Sequence, residues 1–108
     1  MLDMDHIAVL SNDDKAKYMA LERMFDTPGF KLMKAWAKAS AVEQAQAVIY
    51  SAKWEDHCFH RGQQIAFEII ANYEENTQAE FANLAESELA RRDQRAEDET
   101  AEDAIDHE

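Results

Sequence analysis

Glycine, proline and cysteine are almost missing from this 108-residue chain: Gly29 and Gly62, Pro28, and Cys58 are the whole supply. All-β folds need turn residues every few positions, so their scarcity excludes that class and leaves an all-α chain. A lone cysteine excludes an intramolecular disulfide and fits a reducing compartment. No stretch approaches the roughly 20 apolar residues of a membrane span. The start, Met1-Leu2-Asp3-Met4-Asp5-His6, carries no basic segment before an apolar run, so no signal peptide is expected. Basic charge is also short, with 11 Lys and Arg against 23 Asp and Glu. A net charge of −12 argues against nonspecific binding to nucleic acid or anionic membranes, which require cationic surface.

Much of that negative charge is concentrated. Residues 93–108 hold eight acidic side chains and only Arg95, a net of −7, with Ile105 the one large apolar residue. Such composition cannot bury enough surface to offset the entropy of ordering. The sequence therefore predicts a single small helical domain over residues 1–92 and a disordered acidic tail over 93–108.

Within the body, Ser11 is placed to cap a helix that runs to about Phe25, with Asp13 and Asp14 at its positive end. Upstream, Ile7 to Leu10 read as an extended arm or a short turn. Thr27-Pro28-Gly29 is the sharpest punctuation: Thr27 caps, and Pro28 falls where its missing N–H costs nothing. The helix it opens runs to about Tyr50 and is apolar or small on most sides (Phe30, Leu32, Met33, Trp36, Ala37, Ala47 and Val48 on one arc; Ala35, Ala39, Val42 and Ile49 on the other). A helix of that kind must be covered on most sides, which in so short a chain suggests a second copy or a partner protein.

After Ser51-Ala52-Lys53 a third helix spans Trp54 to about Asn76. Its apolar face carries Cys58, Gly62, Ile65 and Ile69, flanked by Phe59, Ala66, Ile70 and Tyr73. The brief link predicts an antiparallel αα-hairpin, with that face turned inward and Gly62 in close approach to the alanines of the preceding helix. A fourth helix restarts near Asn76 or Thr77, anchored by Phe81, Leu84 and Leu89, and ends near Arg91-Arg92.

No constellation for catalysis emerges. His57 and His60 share a helix side with Gln64, while Cys58 is directed toward the core, so the three cannot meet at one ion. Two histidines still need further ligands, and the Glu-x-x-His pattern of di-iron bundles is absent. A cysteine facing Ile65 and Ile69 is expected to act as a small hydrophobe. There is no phosphate-cradling glycine loop or nucleophile elbow. No catalytic residue, cofactor site or metal site is therefore assigned.

The candidate interaction residues are Trp36 and Phe67 with the stripe Lys31, Lys34 and Lys38. Trp36 and Trp54 are expected in the hairpin core, and Trp36 lies on the helix that needs cover all round. Phe67 falls roughly opposite the apolar face of its helix, an exposed position that favours an interface. The lysines, spaced i, i+3, i+7, offer a dock for an acidic partner, for phosphate or for the chain's own tail, unless they only solvate the helix.

Phe25-Asp26-Thr27-Pro28-Gly29-Phe30-Lys31, the long helix after it, then Trp54-Glu55 and Arg61-Gly62, resemble a group of short helical proteins from tailed-bacteriophage genomes. An aromatic-x-(Ser/Thr)-Pro-Gly-aromatic-Lys start and a Trp-acidic…Arg-Gly hairpin recur in that group. The resemblance covers residues 18–73 and implies a virion or assembly accessory, placed in the host cytoplasm or the virion. It carries over no catalytic or binding residues, and the acidic tail and alanine-rich helix depart from the pattern. The leading expectation is a non-enzymatic interaction protein that oligomerises or docks on a capsid or tail component. The alternative is an acidic inhibitor that mimics nucleic acid through Glu68, Glu74, Glu75, Glu80, Glu86 and the tail.

Overall fold

A computed structural model describes residues 2–106, and among these the chain is all-α, with five helices and no strand. The helices are α1 (Met4–Val9), α2 (Asn12–Phe25), α3 (Pro28–Tyr50), α4 (Trp54–Ala71) and α5 (Tyr73–Asp106).

The capping residues act as their chemistry dictates. Thr27 Oγ1 accepts the Phe30 N–H at 3.2 Å and donates to the Met24 carbonyl at 2.7 Å, so one side chain closes α2 and opens α3. Pro28 sits in the first turn of α3. Ser11 Oγ accepts the Asp14 N–H at 3.1 Å, and the Asp3 carboxylate accepts the His6 N–H at 2.9 Å to cap α1.

The segment expected as an extended arm or short turn falls largely in helix α1, and two boundaries also differ from expectation. α4 ends at Ala71 and not near Asn76, because the capping Asn72 takes φ −101°, ψ 9° for a single residue. Asparagine tolerates this sparsely allowed region well, and the Asn76 N–H bonds to the Asn72 carbonyl at 2.9 Å, so α5 starts without a loop. α5 then passes Arg91-Arg92 and continues to Asp106. Its Ala-, Glu- and Arg-rich sequence favours helix, and one-turn pairs support it: Arg92 Nε to Glu88 at 3.1 Å and Gln94 Nε2 to Asp98 at 3.2 Å. The acidic segment expected to be disordered is thus helical through Asp106, although every side chain from 93 to 100 is exposed, as a solvated appendage requires.

The chain divides into two compact units, Met1–Met19 with Gln78–Glu108, and Ala20–Thr77. In the first, Tyr18 is fully buried with its ring 5.3 Å from that of Phe81. Its hydroxyl accepts the Leu2 N–H at 2.7 Å, and Val9, Leu10 and Ala85 are also buried. In the second, α3 and α4 pack along each other as the expected antiparallel hairpin. Its buried set is small: Phe25, Phe30, Ala37, Ala41, Ala71 and Thr77. Phe25 anchors it, with the Phe30 ring at 4.9 Å and the Tyr73 ring edge-on at 5.9 Å.

Candidate interaction surface

The hairpin places α4 the other way round from the sequence expectation. At 100° per residue, the side of α4 that packs on α3 carries His57, His60, Gln64, Phe67 and Ala71, all half-buried or buried. His60 Nδ1 lies 2.7 Å from Gln44 Oε1, and the Phe67 ring meets that of Trp36 edge-on at 5.2 Å. Phe67, expected outside, is therefore part of the hairpin contact, and the two histidines lie half-buried on the same side.

The opposite side of α4 is the apolar one, and it faces outward. Trp54 is 75% exposed, Phe59 61%, Ile65 44% and Ile69 60%, with Cys58, Gly62 and Ala66 exposed among them. This corrects three expectations at once. Cys58 is not buried. Trp54 is not a core residue; it stacks on the His57 ring with centroids 5.4 Å apart. Gly62 makes no close approach to α3, since nothing lies within 4 Å of where its Cβ would stand.

α3 shows the surplus that its sequence predicted. Phe30, Ala37 and Ala41 face inward, while Leu32, Val42, Ile49 and Tyr50 are largely exposed. Trp36, expected in the core, is 55% exposed; one side of its indole meets Phe67 and the rest faces solvent. An alanine-rich inner ridge explains this, because small side chains seat the helices closely and leave the large ones at the margins.

Within the lysine stripe, Lys34 makes the ion pairs and Lys38 adds a coulombic influence on Glu75. Lys34 Nζ lies 2.5 Å from Glu75 and 3.6 Å from Glu74, so its charge is taken up within the second unit. The hydrogen bond to Glu75 is the main reason the Lys34 pKa is raised, and the same bond lowers that of Glu75. Lys31 and Lys38 remain exposed. In the first unit, a groove of about 500 Å³ is lined by Val9, Leu10, Asp14, Leu84, Arg91 and Arg92, but both arginines already bridge to Glu88.

Among the described residues no group of three or more His, Cys, Asp or Glu is placed to hold a metal ion, and no helix is long and apolar enough to cross a membrane. The surface with most chemical content is thus the apolar exterior of the α3–α4 hairpin. The inversion of α4 was not visible to a helical wheel, but one signal pointed to it: His57, His60, Gln64 and Phe67 share a side with small Ala71, which suits a polar ridge against a polar and alanine-rich neighbour. Comparison with protein-family models, curated proteins and solved structures gives no match for this chain.

Proposed function

We propose that this chain is a non-enzymatic helical interaction module of the virion or assembly-accessory type, which oligomerises or docks on a larger assembly such as a capsid or tail component. One observation carries the reading: the α3–α4 hairpin keeps more large apolar side chains outside than inside, among them Leu32, Trp36, Ile49, Trp54, Phe59 and Ile69. Exposed apolar surface on both helices of the hairpin favours an interface. The phage origin rests on the Thr27-Pro28-Gly29-Phe30 and Arg61-Gly62 resemblance. The nucleic-acid-mimic reading is the weaker one, because Lys34 engages Glu74 and Glu75 and the two arginines engage Glu88.

The test is co-sedimentation of the tagged chain with purified tailed-phage capsid or tail particles. The wild-type chain is expected to travel with the particle at high salt, and a Leu32→Glu, Ile49→Glu double variant to stay behind. Binding that vanishes with salt would transfer support to the mimic, whose contacts are ionic. A chain that binds no particle and stays monomeric would overturn the reading.

A further inference from the structure

Resting on the reading as an interaction module, we propose that a second copy of this chain covers the outward face of α4, antiparallel, about a two-fold axis passing between Gln63 and Gln64. Cys58, Gly62, Ile65 and Ile69 are spaced 4, 3 and 4, the seam of a helix–helix contact, and all four are exposed. Their register is self-complementary only in the antiparallel sense. Turning the seam end for end brings Gly62 against the second copy's Ile65 and Cys58 against its Ile69, small against large in every layer. On one flank Arg61 meets the second copy's Glu68, and symmetry repeats the pair. On the other flank Phe59 meets the second copy's Ala66. A parallel pairing would instead set Gly62 on Gly62, leaving a void, and like charges at Arg61 and Glu68 in the same layers.

Gly62 supplies a further reason. A glycine inside a helix is unfavourable relative to alanine, and within this chain its missing Cβ accommodates nothing. Opposite an isoleucine of a second α4 it lets the two backbones approach. The exposed apolar area points the same way. At about 200 Å² per large side chain, Phe59, Ile65 and Ile69 expose about 330 Å² per copy. Cys58, Arg61, Gly62 and Ala66 between them extend it toward the roughly 800 Å² per partner of a stable interface.

The native cysteine makes the register testable. Antiparallel pairing separates the two Cys58 residues by eleven positions, about 16 Å along the axis, beyond the roughly 7 Å Cα separation that a disulfide spans. The same register sets Cys58 directly across from position 69 of the second copy. Under mild oxidation the full-length wild type is expected to remain uncrosslinked on a non-reducing gel, while Ile69→Cys forms a covalent dimer. Ile69 is exposed, so this variant keeps the hairpin, which circular dichroism verifies. A wild-type Cys58–Cys58 dimer, or an Ile69→Cys chain that stays monomeric under the same oxidant, would overturn the proposal. Particle co-sedimentation retained in either case would leave the module reading standing.

Discussion

The Trp36 indole meets the Phe67 ring edge-on, with centroids 5.2 Å apart and planes at 89°. This pair bridges the two helices of the hairpin at a point where α3 supplies a half-open aromatic and α4 supplies one from its more polar side. Edge-to-face pairs contribute about 0.5–1.5 kcal/mol beyond the area they bury. In a double-mutant cycle of Trp36→Ala and Phe67→Ala, urea unfolding is expected to show coupling of about 1 kcal/mol. Additive losses would mean that the rings do not meet in solution.

Thr27 joins α2 to α3 through two hydrogen bonds of one hydroxyl. Thr27→Ala is expected to cost about 1 kcal/mol in unfolding free energy, and Thr27→Ser to recover most of it. Equal losses for both replacements would point to the methyl group and away from the cap.

The Lys34–Glu75 bridge gives stability a defined pH window. The Glu75 pKa is lowered in the folded chain, chiefly by the Lys34 hydrogen bond, so its contribution is present above the unfolded carboxylate value and is lost as pH falls through the folded one. The Lys34 pKa is raised, chiefly by Glu75, so its contribution is present below the unfolded ammonium value and is lost as pH rises through the folded one. A plateau from about pH 5 to 10 is therefore expected, with Glu75→Gln costing less than about 1 kcal/mol on it because the pair is partly exposed. Urea midpoints across pH check this; a Glu75→Gln curve parallel to wild type below pH 5 would contradict it.

Gly62 separates stability within the chain from association between chains. With no atom within 4 Å of a built Cβ, Gly62→Ala is expected to stabilise the isolated hairpin by up to about 1 kcal/mol. It should also weaken self-association, since the added methyl lies where two α4 helices approach. Unfolding at low concentration measures the first effect and sedimentation the second. Association left unchanged would remove Gly62 from the contact.

The helix starts at Thr27-Pro28 and at Ser11, the end of α3 at Tyr50 and the hairpin itself were readable from residue chemistry, because caps and short links act locally. The orientation of α4 was not. A wheel shows that Cys58, Ile65 and Ile69 form the side in need of cover, but it cannot tell whether α3 or another molecule provides it. Gln44, Trp36 and the alanines of α3 decided that question by offering a better seat to His60 and Phe67. The acidic segment was half-readable. Its charge marks it as solvated, while its Ala, Glu and Arg content and pairs such as Gln94–Asp98 allow helix without any core. Of the candidate residues, Trp36 combined an inner contact with an exposed edge, Phe67 went inward, and Lys34 was absorbed by Glu74 and Glu75.

The self-association proposed for this chain depends on the outward face of α4 being covered in solution. Sedimentation equilibrium of the full-length protein at micromolar concentration measures that directly. The expected mass is twice the 12.4 kDa of one chain, falling to a single chain in an Ile65→Glu, Ile69→Glu variant that keeps its helicity. A wild-type mass of 12.4 kDa at every concentration would contradict it.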